Sequence, residues 1–199
     1  MAEIVLLRHS LTQGNRERRY IGSRTDEPLC EEGIRLLQRG SYPAVDRVYA
    51  SPMKRCVETA HILWGNGFLT LLPKLTECDF GEFENKNYEE LNGNPAYQAW
   101  IDSGGTLPFP GGESMEAFQN RCREGFAELV GEIRKLETER QPAGPLRIAL
   151  VVHGGTVMAI LERFGFPKKD YFDYQVKNGC GYVLTPVEGT DLWNYQCLP

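Results

Sequence analysis

The sequence predicts an α/β protein: a three-layer α/β/α sandwich on a mostly parallel central sheet, with a small inserted cap at about residues 78–112. Three observations point there. Short apolar runs alternate with amphipathic stretches along the chain, the pattern of strands and helices packed in layers. Two of those runs, "EIVLL" from Glu3 and "RIALVV" from Arg147, read as buried strands. Residues 78–112 depart from the alternation, being rich in Gly, Asn, Pro and aromatic residues with weak periodicity. Loops of that length are usually functional, so the stretch reads as a cap or lid.

Taken in order, "EIVLL" is the first strand and "EEGIRLLQRG" a short helix ending at Gly40. "AVDRVYAS" is the second strand and "SPMKRCVETAHILW" the helix after it. Ser51 is the expected N-cap of that helix, with Pro52 at its first position, where a missing N–H costs nothing. Within the cap, "NYEEL" and "PAYQAWI" suggest short helical pieces. The longest helix follows "PGGES": Met115, Phe118, Cys122, Phe126, Leu129, Ile133 and Leu136 step by three or four, and charges fill the other face. "RIALVV" comes next, then a tight "HGG" exit and a helix over "TVMAILERF". The tail holds one or two further strands, near "GYVL" and "WNYQCL".

The 199 residues suit one domain over 1–199, with apolar (41%) and charged (25%) fractions ordinary for a soluble globular protein. No apolar run approaches the roughly 18–20 residues of a membrane span. Glu3 and the lack of a basic N-terminal stretch argue against a secretory signal. A net charge of −5 argues against nucleic-acid or anionic-membrane partners, so an anionic small substrate would need a local basic pocket. The six cysteines are scattered without a C-x-x-C pair and read as reduced, mostly buried thiols of a cytoplasmic protein. Only three histidines exist and none sits at ligand spacing from a cysteine pair, which argues against zinc. No metal or other cofactor is expected, and a homodimer is left open.

Three strand ends carry polar residues that an ordinary core does not call for. The first strand ends in Arg8-His9, the second runs through Ser51-Pro52 to Arg55, and "RIALVV" ends in His153-Gly154-Gly155. Ligands of open α/β sheets sit outside the carboxyl ends of strands, so these groups are expected to meet. Arginine is a permanent cation whose planar fork suits phosphate oxygens. Arg55 falls in the first turn of a helix, where free N–H groups favour an anion. The paired glycines let backbone approach a ligand closely. A neutral histidine can attack phosphorus, and a second can neutralise charge on the transferring group. The leaving oxygen needs a proton, and "PKLTECDFGEFEN" offers Glu77, Asp79, Glu82 and Glu84. Glu77 is best placed, at an element's end; Glu82 and Glu84 read as solvated loop charges, and His61 as a helix packing or rim residue.

These motifs resemble, in order, those of the histidine phosphatase superfamily, the phosphoglycerate-mutase-like family. "LLRHSLTQGN" is similar to R-H-G-E-T-x-x-N at Arg8, His9, Thr12 and Asn15. "YIGSRTDEPLCEEG" resembles G-x-x-D-x-P-L-T-x-x-G at Gly22, Asp26, Pro28, Leu29 and Gly33, allowing one extra residue. "YASPMKRCVETA" resembles S-S-P-L-x-R-x-x-x-T-A through Arg55, and "LTECDFGEFEN" resembles L-x-E-x-x-F-G-x-W-E-G through Glu77. "FPGGES" and "VVHGG" match the late motifs, the second through His153.

The resemblance implies metal-free phosphoryl transfer to and from a small phosphorylated metabolite. His9 would become the phosphohistidine and Glu77 would protonate the leaving group, then activate water. Arg8, Arg55, His153 and Asn15 would hold the phosphoryl oxygens, with Thr12, Gly22 and Gly154 in the substrate-binding set. Four positions depart from the pattern: Ser10 stands for Gly, Leu11 for Glu or Gln, Phe83 for Trp and Asn85 for Gly. Phosphoglycerate mutases shield the phosphoenzyme with loop and tail sequence for which 199 residues leave little room, so a phosphatase is expected. Mutase-type transfer and a non-catalytic phosphate-binding regulator are the alternatives. Within the family, "FGEFENKNYEEL" and "AYQAWIDSGG…FPGGES" look most like the α-ribazole phosphatases of cobalamin biosynthesis.

Overall fold

A parallel strand covered on both faces needs apolar side chains at every position, and the first strand has them. In the computed structural model, which describes residues 2–139 and 144–198, β1 (Glu3–Arg8) buries Ile4, Val5, Leu6 and Leu7 completely. Ile4 and Leu6 enter one core and Val5 and Leu7 the other, as alternation along a strand requires. Full burial of each such side chain stabilises by roughly 1.5–3 kcal/mol. The first core is filled by Phe118, Phe126 and Ile133 of α6 (Met115–Glu139) and by Val157, Ile160 and Leu161 of α7 (Gly154–Phe164). Cys56 and Ala60 of α3 (Lys54–Trp64) fill the second, and α2 (Glu31–Arg39) packs on α3. The three layers are therefore set by two apolar faces of one sheet.

The remaining strands are β2 (Arg47–Ala50), β3 (Leu69–Leu71), β4 (Arg147–Val152), β5 (Gly165–Phe166), β6 (Gly181–Pro186) and β7 (Trp193–Cys197). They form a seven-stranded sheet in the order β3-β2-β4-β1-β6-β7-β5. Strands β3, β2, β4 and β1 are parallel, β6 runs antiparallel to β1 and β7, and β5 pairs parallel with β7. β4 inserts between β2 and β1, with Ala50 opposite Val151 and Arg8 opposite Val152, so three carboxyl ends lie side by side.

Three local expectations need correction. The helix after β2 begins at Lys54 with Met53 as N-cap, and Ser51 and Pro52 precede it. The fully buried Ser51 hydroxyl is engaged by His153 Nε2 at 2.8 Å instead, so β2 ends and α3 starts with the intervening loop spent on the site. The cysteines are evenly divided rather than mostly buried: Cys56, Cys78 and Cys122 are buried, Cys30 is half-buried, and Cys180 and Cys197 are exposed. Glu84 is half-buried and accepts the Gly22 N–H at 2.9 Å, whereas Glu82 is exposed as expected.

The stretch 78–112 holds a 3-10 turn at Gly81–Phe83, α4 (Tyr88–Leu91) and α5 (Pro95–Asp102), capped by Asn87 and Asn94. Phe83, with no exposed surface, is ringed edge-on by Tyr97, Trp100 and Phe109. Asn85 adopts φ 57°, the left-handed conformation that Gly takes freely and Asn tolerates best among the rest, which accounts for Asn at that position.

Candidate active site

His9 follows β1 and is buried, 4% exposed. Its Nδ1 lies 2.7 Å from the Ser10 carbonyl, an acceptor only, so Nδ1 carries the hydrogen and Nε2 keeps a free lone pair. Burial, with the Arg55 and Arg8 cations nearby, holds the His9 pKa well below its ordinary value and keeps the ring neutral. A neutral imidazole with an unprotonated Nε2 is a nucleophile.

His153, the N-cap of α7, is fully buried, with its ring centroid 5.2 Å from that of His9. Burial and the same cations depress its pKa well below the ordinary value. Arg55 Nε donates to His153 Nδ1 at 3.3 Å, which leaves Nε2–H to donate to Ser51 Oγ. The fully buried Arg55 guanidinium also donates to the carbonyls of Thr25 at 2.8 Å and Gly22 at 3.0 Å. Those carbonyls fix its orientation. Arg8 donates from Nη1 to the Val176 carbonyl at 2.8 Å, while its buried Nε has no hydrogen-bond partner among the described residues.

Glu77 follows the 3-10 turn Pro73–Leu75 and is buried, 8% exposed. Burial raises its pKa, against the lowering effect of the Cys78 N–H at 3.0 Å and of Arg55 and Arg8. A carboxyl with a raised pKa keeps its proton to higher pH than an ordinary one and can donate it. A Cβ at Gly155 would come within 2.8 Å of Glu77 Oε1, so this glycine lets the carboxylate sit against the start of α7. At Gly154 a Cβ would lie 3.3 Å from Arg8 Cζ, so its absence makes room for the guanidinium.

Arg8, His9, Asn15 and Glu77 line one cavity of about 340 Å³, while Arg55 and His153 are fully buried and do not line it. Aromatic side chains also line it: Phe80, Trp100 and Phe109 of the cap stretch, with Tyr20, Tyr171 and Phe172. Thr12, Gly22 and Gly154 do not line it. Thr12 is the N-cap of α1 (Gln13–Arg16), its hydroxyl accepting the Asn15 N–H, and Gly22 offers Arg55 its carbonyl. Among the described residues, no three His, Cys, Asp or Glu side chains converge as metal ligands, and no helix is long and apolar enough to cross a membrane.

The sequence profile of the histidine phosphatase superfamily (branch 1) matches residues 4–195. The chain belongs to the histidine phosphatase superfamily. Members are phosphatases or mutases acting on small phosphorylated substrates. The chain is 31% identical over 173 residues to phosphoglycerate mutase-like protein 4 of Arabidopsis thaliana, covering 81% of this chain and 70% of that one. To the adenosylcobalamin/α-ribazole phosphatase of Salmonella typhimurium it is 26% identical over 196 residues, covering 92% and 90%. The α-ribazole phosphatase of Shigella flexneri shares its fold, with a TM-score of 0.79 at 23% identity over 98% of this chain and 95% of that one.

As a member of this superfamily the protein accommodates its departures in the first motif locally. Ser10 is fully buried; its N–H donates to Thr59 Oγ1 at 3.0 Å and its hydroxyl to the Gly33 carbonyl at 2.8 Å. The Leu11 carbonyl accepts the Cys30 N–H at 3.0 Å, and Leu11 borders an open groove that Arg8 also lines. Sequence reasoning missed residues 175–180, which wrap the Arg8-His9 backbone. Gly179 N–H reaches the carbonyls of both residues at 3.2 Å, and Arg8 N–H donates to the Cys180 carbonyl at 3.0 Å. Nothing in "QVKNGC" announces this, because the contact exists only once β6 lies beside β1.

Proposed function

We propose that the protein is a metal-independent phosphomonoesterase that works through a phosphohistidine on His9. The observation that carries this reading is the free Nε2 of a neutral His9, fixed by the Ser10 carbonyl and facing the same cavity as a raised-pKa Glu77. Nε2 attacks phosphorus in line, the P–O bond to the leaving group breaks, and Glu77 gives that oxygen its proton. The resulting Glu77 carboxylate then takes a proton from water, whose oxygen attacks phosphorus and releases inorganic phosphate and neutral His9. Arg8 and Asn15, which line the cavity, stabilise the charge on the transferring group directly; Arg55 adds its positive charge, and His153 becomes a donor to a phosphoryl oxygen by turning its Nε2–H from Ser51.

The cavity's rings favour a planar aromatic leaving group, such as the benzimidazole nucleoside of α-ribazole 5′-phosphate. Arg19 also borders the cavity, but it is held by Glu17 at 2.7 Å and Glu90 at 2.6 Å, which leaves it poorly placed to receive the carboxylate of 3-phosphoglycerate. Hydrolysis of p-nitrophenyl phosphate with and without EDTA tests the reaction class. Activity should survive EDTA and disappear in His9→Ala; a requirement for added metal, or full activity in that variant, would contradict the proposal. A panel of α-ribazole 5′-phosphate, O-phosphoserine and 3-phosphoglycerate should rank the first highest. With 2,3-bisphosphoglycerate present, 3-phosphoglycerate should not isomerise.

A further inference from the structure

Asn15 borders the catalytic cavity, but a carboxamide can turn either its oxygen or its NH2 toward a phosphoryl group, and only the NH2 is useful. Backbone groups of fixed polarity decide which. The Thr12 N–H, a donor only, faces Asn15 Oδ1 at 3.4 Å. Asn178 lies against two carbonyls, acceptors only, with its Nδ2 at 3.2 Å from His9 O and 3.4 Å from Ser10 O. Each amide is thereby oriented independently, and the two meet with Asn178 Nδ2 donating to Asn15 Oδ1 at 2.9 Å. Asn15 Oδ1 is occupied from outside the cavity, and its NH2 is what remains to face in.

Asn178 itself borders an open groove on another side of Arg8 and is absent from the catalytic cavity's lining. We propose that Asn178 is a positioning residue: it holds Asn15 as a hydrogen-bond donor to the phosphoryl group and ties the segment at residues 175–180 to the backbone of the nucleophile. This rests on the phosphoryl-transfer reading above. The sign of the Asn178 dipole is the working part. In Asn178→Asp the group facing Asn15 becomes an acceptor, so Asn15 satisfies it only by turning its NH2 away from the cavity and its oxygen toward the phosphoryl oxygens. Asn178→Ala removes the hold without imposing the reversal.

The test is steady-state hydrolysis of p-nitrophenyl phosphate by the full chain, with kcat and KM measured for Asn178→Ala, Asn178→Asp, Asn15→Ala and the double variant Asn15→Ala/Asn178→Asp. Removal of an oriented hydrogen bond to a charged group predicts a loss in kcat/KM of about tenfold for Asn178→Ala and about a hundredfold for Asn178→Asp. With Asn15 already removed, Asn178→Asp should lower kcat/KM by less than about twofold, because coupled residues are not additive. Inhibition by inorganic vanadate should weaken in the same order. Equal losses with and without Asn15, or no loss in Asn178→Ala, would overturn the proposal while leaving an active wild-type enzyme and the phosphatase reading intact. A wild-type protein that neither turns over p-nitrophenyl phosphate nor binds vanadate would overturn both.

Discussion

The Nδ1 hydrogen of His9 is donated to the Ser10 carbonyl at 2.7 Å, so one residue of backbone decides which nitrogen of the nucleophile is free. The same short segment fixes its own backbone through the Ser10 hydroxyl on Gly33 O and the Ser10 N–H on Thr59.

Activity should be bell-shaped in pH. His9 must be neutral, and its depressed pKa moves the acid limb below the ordinary histidine value of about 6.5. Glu77 must be protonated for the first step, and its raised pKa moves the alkaline limb above the ordinary carboxylate range. With an alkyl phosphate, Glu77→Gln should lower kcat by about 10²–10⁴-fold, the usual worth of a positioned proton donor. An unchanged rate and profile in that variant would remove Glu77 from the mechanism.

Stability should fall as the solution is acidified. His9 and His153 have folded pKa values below their unfolded ones, so each contributes stability that is full above about pH 6.5 and lost as pH drops toward the folded value. Glu77, with its raised folded pKa, contributes in the opposite sense, most below its unfolded pKa and less as pH rises. The histidine contribution is isolated by His153→Asn, whose Tm should decline less steeply than the wild type's between pH 7.5 and 5. Parallel Tm curves would contradict a buried neutral His153.

The aromatic wall should act on the leaving group alone. Trp100 stacks with Tyr97 at a centroid distance of 6.3 Å and borders the cavity beside Phe109. Trp100→Ala should reduce kcat/KM for 1-naphthyl phosphate by about tenfold, the worth of one aromatic contact, and for glycerol 1-phosphate by less than about twofold. An equal fall for both substrates would mean that the cap serves only to close the site.

Backbone conformation should decide what position 85 accepts. Asn85→Ala places a side chain in the left-handed region at φ 57° and should lower unfolding free energy by about 1 kcal/mol, whereas Asn85→Gly should be near neutral. Urea unfolding of the three proteins separates the cases; an Ala variant as stable as wild type would leave the residue's conformation without consequence.

How much of this was legible in the sequence depended on whether the deciding contact is local. Continuous apolar runs gave away β1 and β4, and a clean three-and-four stripe gave α6. By contrast β3 and β5 are three and two residues long at the edges of the sheet, with no periodicity to read. α1 is a four-residue turn held by the reciprocal Thr12 and Asn15 caps, and its sequence "QGNR" favours no helix. In the site, Arg8, His9, Arg55 and His153 were visible as polar residues at strand and helix ends. That His153 lies between the other two strand ends follows from strand order, which sequence does not print. Asn178 reaches His9 across 169 positions of chain, and its part could be seen only in three dimensions.

The central claim is a covalent phosphoryl group on His9, and Glu77→Gln offers the most direct view of it. p-Nitrophenolate leaves without help from an acid, so the variant should still be phosphorylated, but it lacks the base that activates water for the second step. After mixing with excess p-nitrophenyl phosphate and alkaline quenching, intact-protein mass spectrometry should show one added phosphoryl group, which peptide mapping assigns to His9 and which mild acid removes. An unmodified protein that still turns over, or a phosphoryl group on any other residue, would contradict the account.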